Sequence, residues 1–189
     1  MKILFVLLEL AAENKDGGMY GNLAEQFQNN GHEVTIIAPD IEHAKAYIKE
    51  ERGMRVVRVA SKGTQGVSSM YKKGVALATL PYYYKKAYNK YIAGEAFDWI
   101  VMPTPPITLS GFVKYVKRKT GAKFYLILRD ILPQSVGSIG LLHNKLEYKF
   151  LDRKARIGYK TADLIGCMSQ GNIDFIKDQY PGMKMGKGV

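Results

Sequence analysis

Met1-Lys2-Ile3-Leu4-Phe5-Val6-Leu7-Leu8 opens the chain, and Gly17-Gly18-Met19-Tyr20-Gly21 comes next after a polar interval. Asn30-Gly31-His32-Glu33-Val34-Thr35-Ile36-Ile37-Ala38 follows. The two apolar runs, residues 3–8 and 33–38, have the length of strands. Between them Gly18–Asn29 carries Leu23 and Phe27 four apart on one helical face, with Asn30-Gly31 as a stop signal. Glu9 ends the first run and no small-residue cleavage site follows, so a buried strand explains it better than a signal peptide. Working outward, residues 54–60, 99–102, 123–128 and 163–168 read as further strands. Helical segments are expected near 69–96 (interrupted near Pro81), 107–119, 144–161 and 172–179. Near-continuous apolar strands separated by helices predict a parallel sheet covered on both faces. The expected fold is a doubly wound, mostly parallel Rossmann-like α/β domain spanning residues 1–189.

The 189 residues are 47% hydrophobic and 24% charged, the balance of one globular domain with a full core. Lys and Arg number 28 against 17 Asp and Glu, a formal charge of +11 that points to an anionic partner. The single cysteine, Cys167, excludes a disulfide framework and implies a reducing compartment. No Cys/His spacing resembles a zinc site, so no metal is expected. No stretch approaches the ~20 apolar residues that cross a bilayer.

The charge is concentrated. Between Glu51 and Glu95 there is no acidic residue, while nine bases and six of the 13 tyrosines fall in that interval. Lys72, Lys73, Tyr83, Tyr84, Lys85, Lys86 and Lys90 lie along its helical part. Tyrosine with lysine suits a bilayer interface, where the ring sits at headgroup level and the ammonium meets anionic lipid. Those seven residues are the candidate membrane-binding set. A helix packing its stripe on the sheet with solvated lysines is the alternative. A second acid-free stretch, residues 110–129, adds Lys114, Lys117, Arg118, Lys119 and Lys123. No nucleic-acid motif accompanies the charge, so nucleic acid is not an expected partner.

In such sheets chemistry belongs to the loops after the strands. After the first strand, Gly17 and Gly18 stand where a loop becomes a helix, a place that favours phosphate. The pattern is not the Gly-x-Gly-x-x-Gly of dinucleotide binders. Asp40, after the second strand, fits ribose binding poorly. Thr104 belongs to the rigid Pro103-Thr104-Pro105-Pro106 after the fourth strand, and Ser169 follows the sixth; both are candidate substrate or phosphate contacts, although a helix cap alone accounts better for Ser169. After the fifth strand comes Arg129-Asp130-Ile131-Leu132-Pro133. Arg129 can fork onto phosphate and Asp130 can accept a hydroxyl, which makes them the candidate catalytic pair.

Taken in order, Gly17-Gly18, Asn30-Gly31-His32-Glu33-Val34, Asp98-Trp99-Ile100-Val101, Arg129-Asp130-Ile131-Leu132-Pro133 and Ala162-Asp163-Leu164-Ile165 resemble the N-terminal half of a family 4 retaining glycosyltransferase of GT-B fold. The Arg-Asp-Ile-x-Pro stretch is most similar to sugar transferases of bacterial O-antigen and capsule assembly. The resemblance implies an acceptor-side domain, a nucleotide-sugar donor as substrate with no further cofactor, and a lipid-linked acceptor. It also implies a cytoplasmic protein, peripheral on the inner face of the cell membrane. Family 4 enzymes hold the donor mainly on a second half with a Glu-x7-Glu motif. The pairs Glu25/Glu33 and Glu42/Glu50 have that spacing in the wrong half. The donor-binding half is therefore expected to be absent from this sequence and the chain inactive alone. Two other classes remain open: a nucleotide-dependent oxidoreductase, and a non-catalytic basic domain docking on membrane or polyanion.

Overall fold

The computed structural model describes residues 1–11, 17–40, 43–61, 70–131 and 145–182, without the side chains of 70–73. Seven strands form one sheet: β1 Lys2–Val6, β2 Glu33–Asp40, β3 Tyr47–Glu51, β4 Met54–Ala60, β5 Trp99–Thr104, β6 Lys123–Leu128 and β7 Leu164–Cys167. Among the described residues five α-helices join them: α1 Gly18–Asn29, α2 Met70–Tyr91, α3 Ser110–Thr120, α4 Lys145–Thr161 and α5 Gln170–Gln179, with a 3₁₀ turn at Ile107–Leu109. The sheet order is β3-β4-β2-β1-β5-β6-β7. Every pairing is parallel except β3 with β4. The expected doubly wound fold is what the chain adopts.

β1 is central because it is apolar on both faces. Ile3, Phe5 and Leu7 enter the core beneath α1, where Leu23 and Phe27 pack. Leu4 and Val6 enter the opposite core beneath α2, α3 and α4, with Tyr84, Phe112 and Tyr159. Residue alternation along one strand thus serves both layers. α1 ends where Asn30-Gly31 predicts: Gly31 N–H donates to Gln28 O at 2.8 Å and His32 N–H to Phe27 O at 3.2 Å.

Two elements differ from expectation. β3 is not among the expected strands, because Tyr47-Ile48-Lys49-Glu50-Glu51 is charged at three of its five positions. It forms because a two-residue turn folds it back on β4, with Arg52 at φ 54° and Gly53 at φ 71°. Two left-handed residues in succession match the twist of a hairpin. α2 runs unbroken through Pro81, against the expected interruption. Leu80, Tyr84, Ala87 and Tyr88 are all buried, and this tertiary burial outweighs the lost helical hydrogen bond. No helix among the described residues is long and apolar enough to cross a membrane.

Candidate functional site

The strand order reverses between β1 and β5: the chain leaves β1 toward β2 and leaves β5 toward β6. The crevice beyond the carboxyl ends of the strands at such a reversal is where open parallel sheets receive ligands. The segments after β1, β5 and β6 border it.

Buried side chains from distant elements fix the segment after β1. Arg58 of β4 donates to the carbonyls of Leu10 at 2.9 Å and Ala11 at 3.2 Å. The same guanidinium forks onto Glu51 of β3, at 2.8 and 2.5 Å. Burial opposes the charge on Glu51, but the hydrogen bonds and charge of Arg58 outweigh it and hold the carboxyl below its ordinary range. Tyr84 of α2 supplies a third tie, its hydroxyl donating to Leu7 O at 2.5 Å.

Gly17 caps α1 with no side-chain hydrogen bond, and no acidic residue stands in the first turn. A Cβ on Gly17 would lie 2.9 Å from Arg52 Nη1. Its absence lets that guanidinium lie beside the helix start, where it pairs with Glu25 at 2.6 Å. Gly18 has open space around it and a φ of +66°, so what it supplies is backbone conformation.

Tyr20, in the first turn of α1, joins this segment to the one after β6. Its ring packs on the core beneath α1, and its hydroxyl is shut from solvent without a well-formed hydrogen bond among the described residues. Burial raises its pKa, opposed by the nearby charge of Arg129 and reinforced by that of Asp130. Arg129 Nε and Asp130 Oδ2 are 3.4 Å apart, and each side chain is close to half exposed. A loose charged pair beside a half-buried tyrosine, next to a glycine-led helix start, can bind a phosphate or orient a hydroxyl.

Other predicted residues lie elsewhere. Thr104 is buried, its hydroxyl donating to Ile127 O at 3.3 Å; the sheet consumes it and it offers nothing to a phosphate. Ser169 is the N-cap of α5, accepting the Asn172 N–H at 3.2 Å. Tyr84 is fully buried and cannot meet lipid. Tyr83, Lys85, Lys86 and Lys90 are exposed on α2, with the Lys85 ammonium 4.4 Å from the Tyr115 ring centroid. The side chains of Lys72 and Lys73 lie outside the described residues, as does Pro133. Three bases of the acid-free interval find acids beyond it: Arg52 pairs with Glu25, Arg55 with Glu95 and Arg58 with Glu51. Asp40 accepts from the Tyr47 hydroxyl at 2.6 Å and lies 2.7 Å from His43 Nδ1, so its carboxylate is occupied rather than open to a ribose.

Sequence reasoning missed Tyr20, Arg58 and Glu51 as parts of the site and its support. Arg58 and Tyr84 act across 48 and 77 residues, where no local signal reaches. Tyr20 had a local signal, two positions after Gly18 in a helix start.

No family model matches the chain and no curated protein matches its sequence. Solved structures match its shape. A sucrose-phosphate synthase from Thermosynechococcus elongatus superposes with a TM-score of 0.66 at 9% identity, covering 98% of this chain and 47% of that one. A trehalose-6-phosphate synthase from E. coli, bound with UDP-2-fluoro glucose, gives 0.58 at 9%, covering 95% and 43%. Arabidopsis thaliana UGT89C1 complexed with UDP gives 0.56 at 13%, covering 100% and 52%. The fold is that of a Rossmann-like half of a GT-B enzyme. The chain spans about half the length of each of these three proteins.

Proposed function

We propose that this chain is the acceptor-side half of a retaining glycosyltransferase, of family 4 and of the kind that builds O-antigen or capsule. It moves a sugar from a nucleotide-sugar donor to a lipid-linked glycan acceptor at the cytoplasmic face of the cell membrane. The observation that carries the reading is the meeting of Arg129, Asp130 and Tyr20 with the Gly17-Gly18 helix start at the strand-order reversal of a GT-B half. The order of sequence motifs supports the finer assignment.

In this reading Gly17 and Gly18 approach the donor phosphates from across the cleft, Arg129 meets a phosphate charge, and Asp130 orients the acceptor hydroxyl. The acceptor oxygen bonds to the anomeric carbon as the bond from that carbon to the phosphate oxygen breaks on the same face. The hydroxyl proton passes to the departing phosphate, so no dedicated base is needed. The donor rests mainly on a second half, and this chain by itself turns over no sugar.

Titration decides between the rivals. A polyprenyl-diphosphate-linked sugar in detergent should bind, and Arg129→Ala or Asp130→Ala should each weaken it about tenfold or more, the loss of a charge-assisted hydrogen bond. Micromolar binding of a nicotinamide dinucleotide would favour an oxidoreductase. Acceptor binding indifferent to both substitutions would remove the pair from the site.

A further inference from the structure

α3 and α4 enclose a groove of about 590 Å³ whose charged lining is wholly basic: Lys114, Lys117, Arg118, Arg153, Arg156 and Lys160. Lys117 is tied to Asp163 at 2.5 Å, and Arg156 to Asp152 at 2.7 Å. Those two carboxylates are further engaged, Asp163 by the Phe124 N–H and Asp152 by the Tyr180 hydroxyl. Lys114, Arg118, Arg153 and Lys160 have no ion pair or hydrogen bond among the described residues. Four cations stand together with no counter-charge of their own among the described residues.

The outer face of α4 continues this surface. Its core side is Ala155, Gly158 and Tyr159. At 3.6 residues per turn the opposite ridge is Leu146, Phe150, Arg153, Ile157 and Lys160, which alternates apolar groups with bases and carries no acid. Leu146 is 76% exposed and Phe150 44%, with the Lys154 ammonium 5.3 Å from the Phe150 ring centroid. Glu147 and Asp152 fall on the flanks. Gly158 packs on Ser110, the first residue of α3, and because α4 leads into the amino end of β7 its first turns lie toward the carboxyl edge of the sheet. Every residue from 145 to 150 is exposed. That edge also carries Arg129 and Asp130.

We propose that the outer ridge of α4, with the groove it shares with α3, is a docking surface for an anionic phospholipid bilayer. Leu146 and Phe150 enter the headgroup–acyl boundary, and the unpaired bases hold lipid phosphates. Charge complementarity with four bases that pair with no acid among the described residues selects anionic lipid; exposed apolar side chains on the same ridge select a bilayer over a soluble polyanion. This places the membrane contact on α4 rather than on the α2 tyrosines. It rests on the lipid-linked reading of the cleft, which docking at that edge would serve.

The test is sedimentation of the 189-residue chain with vesicles of phosphatidylglycerol and phosphatidylcholine, against phosphatidylcholine alone. Binding is expected only to the anionic vesicles, falling as the Debye length drops from ~8 Å at 0.15 M salt to ~3 Å at 1 M. Changing Lys114, Arg118 and Arg153 together to Glu should lower partitioning at least about tenfold, and Leu146→Ser with Phe150→Ser about as much. Phe150→Trp, which needs no loss of function, should be quenched by brominated lipid beyond any quenching of Trp99. Absent vesicle binding, indifference to the charge reversals, or no added quenching overturns the proposal. So does heparin binding as tight as vesicle binding and insensitive to Leu146 and Phe150, which would mark a polyanion surface. Docking lost while the lipid-linked sugar still binds in detergent overturns this surface alone. Docking kept while that sugar fails to bind overturns the transfer reading alone.

Discussion

Arg58 is the residue on which the crevice wall depends. Its guanidinium is spent on Glu51 and on two loop carbonyls, all inside the protein. Arg58→Met leaves the buried Glu51 carboxylate with only the Lys49 ammonium, 3.5 Å away, and urea denaturation should show a loss of about 3 kcal/mol. Adding Glu51→Leu removes the poorly compensated charge and should recover much of that loss. The pair also fixes a pH dependence. Glu51 has a lowered folded pKa, so its contribution is fully present above the ordinary glutamate value and is lost as pH falls through the lowered one. Unfolding measured down an acid series should therefore steepen in the parent and flatten in Glu51→Gln. Gly18 is a second single-residue constraint. Its φ of +66° costs an L-residue roughly 1–2 kcal/mol, and nothing crowds its Cβ position. Gly18→Ala should lose about that much stability by calorimetry; a loss near zero would deny the left-handed conformation.

At the scale of elements, α2 separates packing from exposure residue by residue. Tyr84 packs against Phe112 and ties β1 through Leu7, whereas Tyr83, its chain neighbour, is exposed. Tyr84→Ala should cost about 3–5 kcal/mol in urea, and Tyr84→Phe only the hydroxyl's share of about 1–2. Tyr83→Ala should stay within about 0.5 kcal/mol. Equal effects at the two positions would mean that α2 is rotated from the orientation described. The β3–β4 hairpin is the other element with a sharp dependence. A Cβ on Gly53 would meet Gln28 Nε2 at 2.8 Å while holding a φ of +71°, so Gly53→Ala should loosen both the turn and the end of α1. Hydrogen exchange at Tyr47–Glu51 reads that out.

At the scale of the molecule, the described residues form one doubly wound sheet with its candidate chemistry on the carboxyl edge and a cluster of four unpaired bases on the outside of one helical layer. The solved structures it resembles carry about as much chain again. If the donor rests mainly on such a second half, calorimetry of this chain with UDP-sugars should give affinities weaker than about 100 µM, and no transfer should be detected with a lipid-linked acceptor. Micromolar binding or turnover by the chain alone would show that one half suffices.

The order of strands and helices was legible in the sequence because it rests on local physics. Ile3 to Val6 and Ile36 to Ala38 are apolar on successive residues, as a strand buried on both faces requires, and Asn30-Gly31 ends a helix through bonds within five residues. Arg129 and Asp130 were legible as a charged pair at the mouth of a buried strand. The tertiary structure alone decided which charges are free. Arg52, Arg55 and Arg58 stand in an acid-free interval, yet each is met by a glutamate outside that interval, and Asp40 is occupied by Tyr47 and His43. It alone decided that Tyr84 is core and Tyr83 is surface, since a helical stripe has no absolute orientation until the sheet beneath it exists. β3 was illegible for the same reason: a charged, exposed segment becomes a strand only when a neighbouring edge offers its hydrogen bonds. Short-range pattern fixes elements; charge pairing and side-chain exposure are properties of the assembled surface, and they arise only when elements meet, across 77 residues at Tyr84 and Leu7 or across seven at Arg58 and Glu51.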